Sequence, residues 1–169
     1  MFNVFRYAGD LLHLASFFIL LLKIYSSRSV RGISLKTQLL YAVVFLTRYL
    51  DLLWNFASMY NWIMKVVFIT LSIMIVYLMK YKSPYCKTYD AQSDSFNVLF
   101  LVVPCFLLAN LVHDYWSVFE ILWTFSIYLE AVAIVPQLIV VHRLVRRRYP
   151  LPVAFFFQNS FYVIGVVIS

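Results

Sequence analysis

Residues 37–54 read TQLLYAVVFLTRYLDLLW, an eighteen-residue apolar stretch that carries Arg48 and Asp51 in its second half. A helix crossing the hydrocarbon core of a bilayer needs about 20 such residues. Working outward, the same rule predicts spans near 5–25, 60–79, 97–112, 118–141 and 150–168. Pro104 is expected to break or tilt the short fourth span, because its ring removes a helical donor. Period-2 alternation is absent, which argues against a membrane barrel. Asp10 and His13 interrupt the first apolar run and no small-residue cleavage site follows it, so that run is expected to stay as a span. The fold class is therefore all-α, a polytopic transmembrane helical bundle of about six spans.

Composition agrees. Of 169 residues, 64% are apolar and 12% charged. Soluble domains are about half apolar and a quarter charged, and disordered chains are richer still in charge. The formal charge is +7, and its distribution says more than its sum. Lys23, Arg28, Arg31 and Lys36 border the first connection, Lys80, Lys82 and Lys87 lie in the third, and Arg143, Arg146, Arg147 and Arg148 in the fifth. These are eleven of the fourteen basic residues, and the even-numbered connections hold none. By the positive-inside rule the odd connections face the cytoplasm and the amino terminus the lumen or exterior. The basic runs read as topological determinants, and no nucleic-acid partner is expected.

Two cysteines, Cys86 and Cys105, make no disulfide framework. His13, His113 and His142 share no i,i+3 or i,i+4 spacing, so neither a metal site nor any other cofactor is expected. No nucleophile–base pair or phosphate loop is present either, so an enzyme is not expected.

Charges inside the spans are the informative residues: Arg6, Asp10, Arg48, Asp51, Lys65 and Glu130, with Glu120 at the mouth of the fifth span. A charge at mid-bilayer costs about 2.5–3.5 kcal/mol on insertion scales, so such residues face cavities or partners. At 100° per residue, Arg6, Asp10 and His13 fall within about 60° of arc on the first span. Arg48, Asp51 and Asn55 share a face of the second span, and Glu120, Trp123 and Glu130 one of the fifth. Three polar stripes can thus converge on one cavity open to the lumen, with Arg48 near its floor and His13 beside it. The plainer alternative is that Arg6–Asp10 and Arg48–Asp51 merely neutralise each other along their helices. Lys65 and Lys23 are expected to snorkel to the interfaces.

Arginine forks match carboxylates in bidentate fashion. Asp51 and Glu120 could hold a ligand cation, and a histidine brings sensitivity between pH 5 and 8. The expected ligand carries a carboxylate and a positive group, as a peptide terminus does.

The stretches FRYAGDLLHLASFFILLLKIYSSRS, GISLKTQLLYAVVFLTRYLDLLWNF, TYDAQSDSF, FLVVPCFLLA and FEILWTFSIYLEAVAIVPQL closely resemble the KDEL receptors, the ER lumen protein-retaining receptors. The resemblance covers residues 1–143, and RYLDL with LWTFSIYLEAVAI-PQ is its most specific part. It implies seven helices in a SWEET/PQ-loop-like arrangement, with Pro136-Gln137 as the PQ element. It further implies a receptor that binds the C-terminal K/HDEL signal of ER-resident proteins in the cis-Golgi membrane. The receptor returns them in COPI vesicles to the ER membrane and releases them at higher pH. Carried over by motif, Arg48 and Tyr49 would hold the ligand's carboxyl end, with Arg6 nearby. Asp51 would take its Lys or His, Asn55 and Glu120 would contact it, and Trp123 would pack on it. His13 would sense pH with Glu130 as its acidic partner. Residues 144–169 depart from the family pattern. Residues 1–143 therefore read as an incomplete receptor-like domain, followed by a divergent basic loop and an apolar segment lacking the family's coat-binding tail. The competing readings are a small-solute transporter of SWEET/PQ-loop type and a non-functional truncated form; transport of sugar into vesicles would separate the first of these from a receptor.

Overall fold

The computed structural model describes residues 4–50, 59–113 and 116–148, and side chains from 7 to 147 within those stretches. Six α-helices run through them: α1 (Val4–Ser27), α2 (Leu35–Arg48), α3 (Met59–Lys80), α4 (Leu99–Leu111), α5 (Val118–Val132) and α6 (Val135–Arg148). A short 3₁₀ turn, Tyr85–Thr88, follows α3. No strand occurs among the described residues, as the absence of alternation predicts. α1 and α3, of 24 and 22 residues, reach about 33–36 Å at 1.5 Å per residue, enough to cross the hydrocarbon core. Stretches within α1, all of α3 and the α5–α6 unit are each long and apolar enough to cross a membrane, while α4 is shorter.

α2 stands at the centre and divides the core in two. On one side Phe45 packs with Phe17, Leu21, Phe68 and Ile75 of α1 and α3. On the other, Leu40 and Val44 pack with Cys105, Ala109, Phe125 and Leu129 of α4 and α5. Small residues such as Ala109 and Ser126 let the helices approach closely, since association within lipid depends on packing rather than on expelling water. Leu12, Ile19, Phe100 and Leu111 face outward, as lipid-facing side chains do.

Three sequence expectations are corrected. α2 ends at Arg48, with Tyr49 as its C-cap, rather than running to 54; residues 51–58 lie outside the described part. α4 continues through Pro104, so the proline does not break it. Pro104 is in the sixth position, where only the one bond to the Phe100 carbonyl is lost. The fifth span is two helices that reach Arg148 rather than one ending at 141, so Arg143, Arg146 and Arg147 stand on a helix and not in a loop. The expected span 150–168 lies outside the described residues.

The break between α5 and α6 follows from Pro136. Lacking an N–H, it cannot bond the Val132 carbonyl, and the chain tightens as the Ala133 amide turns to the Glu130 carbonyl at 3.3 Å. The Gln137 amide, released from the helical ladder, donates to Thr37 Oγ1 at 2.9 Å. Its side chain accepts from the Ser34 amide and donates to the Gly32 carbonyl, both at 2.7 Å. Gly32 has φ +85°, which a side chain would strain. The proline–glutamine pair thus ties the kink to the turn that starts α2.

Asp94 locks the same end. Ser34 caps α2 by accepting from the Thr37 amide at 3.1 Å, and its hydroxyl donates to Asp94 Oδ1 at 2.9 Å. Asp94 Oδ2 accepts from the Tyr89 hydroxyl at 2.7 Å and the Lys36 amide at 3.2 Å. Burial and this carboxylate together push the Tyr89 phenol well above its usual pKa. Asp94→Ala should therefore leave three donors unmet and destabilise the bundle by about 2–3 kcal/mol. Thermal unfolding in detergent checks this; an unchanged midpoint would show that the node does not hold the fold.

Candidate functional site

Arg48 occupies the last turn of α2, where the negative end of the helix dipole favours a cation. Its Nη1 donates to Glu130 Oε2 of α5 at 2.5 Å, and its Nε to Ser126 Oγ at 3.1 Å. Ser126 in turn donates to the Trp123 carbonyl at 2.6 Å, which fixes the hydroxyl as an acceptor for the guanidinium. Glu130 Oε1 lies 3.3 Å from His13 Nε2 of α1. One carboxylate is thus shared between an arginine and a histidine from two other helices. The ring of His13 stands edge-on to Phe45 and Phe68, which orients it. Among the described residues, Arg48 Nη2 is buried without a hydrogen-bond partner. A buried donor in that condition costs about 1–3 kcal/mol until an acceptor reaches it.

Beside Arg48 is a cavity of about 730 Å³. α1 lends it Asp10, the end of α2 Thr47, Arg48 and Tyr49, α3 Asn61, Met64, Lys65 and Phe68, and α5 Phe119, Glu120 and Trp123. Its size suits a short peptide or a comparable small ligand. Tyr49 stacks on Phe45 and Phe68, with centroids 5.8 and 6.5 Å apart. Asp10 Oδ2 accepts a 3.4 Å bond from the Tyr60 hydroxyl.

The structure therefore brings Arg48, Tyr49, Glu120 and Trp123 to one cavity and joins Arg48 to Glu130 and His13. Among the described residues, Arg48 pairs across the bundle with Glu130 of α5. Arg6 lies in α1 but its side chain is outside the described part, as are Asp51 and Asn55. Among the described residues, His13 and Glu130 do not line the cavity beside Arg48. His13 lines a separate one of about 340 Å³ with Lys23, Gln38, Tyr41 and Gln137, and Glu130 is the link between His13 and Arg48.

Lys65 is not marked by its sequence as a cavity residue. Expected to snorkel, it is only 8% exposed, lines the larger cavity, and holds its ammonium 5.6 Å over the Tyr49 ring. The cause is the early end of α2: the chain turns at Tyr49 and presents that ring to α3, where a cation is attracted to its face. Ser126 is not marked either, since a serine within an apolar span carries no sequence signal of its partner.

Apolar helices that bring an arginine, a lysine and two carboxylates, Asp10 and Glu120, to one cavity define a polytopic membrane protein with a charged internal cavity. The chain matches the ER lumen protein retaining receptor family over residues 29–166. It is 55% identical over 141 residues to ER lumen protein-retaining receptor B of Arabidopsis thaliana and 55% identical over 141 residues to the ER lumen protein-retaining receptor of Drosophila melanogaster. With ER lumen protein-retaining receptor 2 of Xenopus tropicalis it shares 57% over 143 residues. Each match covers 83% of this chain and 66% of the relative, so the chain spans just under two thirds of the length of the curated relatives it matches. The chain belongs to the ER lumen protein-retaining receptor family, a family of receptors of the secretory pathway and not of enzymes.

Proposed function

We propose that this chain is a membrane receptor for the C-terminal K/HDEL signal of lumenal ER proteins. It captures them in the cis-Golgi and returns them to the ER with COPI coats, its amino terminus facing the lumen. The observation that carries the reading is the Arg48 guanidinium, tethered by Glu130 and Ser126 yet keeping Nη2 buried and unpartnered among the described residues beside a peptide-sized cavity. A terminal carboxylate supplies the acceptor that this donor lacks, and guanidinium–carboxylate bonds are about twice as strong as neutral ones. Arg48 with Tyr49 takes the carboxyl end, Lys65 and Arg6 add positive charge, and Asp51 and Glu120 receive the ligand's Lys or His. Asn55 contacts the peptide and Trp123 packs on it. Cells lacking their own receptor test this: they secrete an HDEL-tagged reporter, and expressing this chain should retain it. Undiminished secretion would contradict the reading.

Protonation of His13 would strengthen its pairing with Glu130 and loosen that carboxylate's hold on Arg48, freeing the guanidinium for ligand. Among the described residues, the charged or titratable groups facing this link are Glu130 of α5, Arg48 and Tyr41 of α2, and Lys23 of α1 across the smaller cavity; α3 presents the uncharged Phe68. Affinity should therefore rise as pH falls, by at most about tenfold per pH unit for one linked proton. His13→Ala should flatten that dependence in a peptide titration at two pH values; a slope equal to wild type would assign the proton to another group.

A further inference from the structure

The end of the bundle opposite the Arg48 cavity holds most of the molecule's positive charge. Hydrogen bonds gather its parts: the Val30 amide to Thr88, Ser34 to Asp94, and Arg143 to the Ser93 carbonyl at 3.0 Å. The two described acids here, Asp90 and Asp94, are both engaged internally. Asp94 is buried among its three donors, and Asp90 accepts from the Ser93 hydroxyl at 2.6 Å and lies 3.4 Å from Arg147. The Ser93 hydroxyl, ahead of all else, holds the Asp90 carboxyl below its usual range, so it stays ionised and occupied. Lys23, Arg28, Lys80 and Lys82 are exposed and pair with no carboxylate among the described residues.

These cations are not spread evenly. α1 and α3 pack together and both end here. The Tyr25 ring meets Tyr85 edge-on at 6.0 Å, which sets the last turns of α1 against the turn that follows α3. Tyr77 and Tyr81 pair at 5.9 Å, and Lys80 lies 5.3 Å over the Tyr81 ring. Tyr81 is 64% exposed; on α1 Tyr25 is 49% exposed and Leu22, about one turn further into that helix, 68%. Anion-binding groups, a tyrosine rim and an exposed apolar helix face thus follow one another from the end of the bundle inward. A soluble acidic peptide would use only the first of the three. A molecule with an anionic head and acyl chains uses all of them.

We propose that the paired ends of α1 and α3 form a binding site for an anionic phospholipid, with Arg28, Lys80 and Lys82 on its headgroup and Tyr25 and Tyr81 at the headgroup level. The site is separate from the Arg48 cavity and does not depend on what that cavity binds.

The test titrates delipidated full chain in detergent with phosphatidylserine and with phosphatidylcholine, following bound lipid by native mass spectrometry. Removing one cation near a membrane surface costs about fivefold in attraction. Wild type should prefer phosphatidylserine by about tenfold or more, and Lys80→Gln with Lys82→Gln should bring the two lipids within about twofold. The Lys80→Arg, Lys82→Arg variant should keep the preference, which separates charge from misfolding. Equal binding of the two lipids by wild type, or an undiminished preference in the glutamine variant, would overturn the proposal. So would full displacement of phosphatidylserine by inorganic phosphate or poly-glutamate, which would assign the site to a free anion or an acidic protein.

Discussion

Arg48→Ala should lower affinity for a peptide ending in HDEL by two to three orders of magnitude, the equivalent of about 3–5 kcal/mol. The loss has two parts. The ligand's carboxylate loses its cationic partner at the cavity wall, and Glu130 loses the guanidinium bonded to it at 2.5 Å. Arg48→Lys should recover little. An ammonium is a compact point charge and cannot reach Glu130, Ser126 and a ligand carboxylate at once, as Nη1, Nε and Nη2 of one planar fork can. Fluorescence anisotropy with a labelled peptide measures both variants; affinity within about threefold of wild type in the alanine variant, well short of the loss expected for a broken buried pair, would remove Arg48 from the site.

Glu130→Ala should be the most damaging change to the fold of the cavity wall. It strips the carboxylate from Arg48 and His13 together and leaves a guanidinium in the bundle interior held by Ser126 alone among the described partners. Breaking a buried pair by removing one member costs about 3–5 kcal/mol, because the remaining charge stays desolvated. Glu130→Gln should be milder, since an amide oxygen still accepts from Arg48, yet it should flatten the pH response as His13→Ala does. Melting curves read the first effect and peptide titrations at two pH values the second. Wild-type stability in the alanine variant would mean that the three-residue link does not hold α1, α2 and α5 together.

What could be read directly from the residues was the set of charges that do not belong in lipid. Arg48, His13 and Glu130 stand out because their insertion costs must be repaid by partners, and three of the stripes do meet. What could not be read was which charge pairs with which. Periodicity along one helix shows only neighbours on that helix, while the described partner of Arg48 is on α5, because α2 stops at Arg48 and turns its guanidinium across the bundle. The same early stop explains Lys65. Depth counted along α3 placed it at an interface, but the Tyr49 ring delivered by that turn gives its ammonium a face inside the cavity. Pro136 is visible in the sequence as a residue without a helical donor; the capture of the freed Gln137 amide by Thr37 is not, since it depends on two helices meeting.

Recognition of a terminal carboxylate by Arg48 is tested by one titration. Purified chain is titrated with an HDEL-ending peptide and with the same peptide amidated at its carboxyl terminus, each near pH 6 and near pH 7, the range in which a histidine changes charge. The free-acid peptide should bind saturably, and more tightly at the lower pH, and amidation should remove most of that affinity. Equal binding of the acid and the amide, or no saturable binding of either, would contradict that recognition.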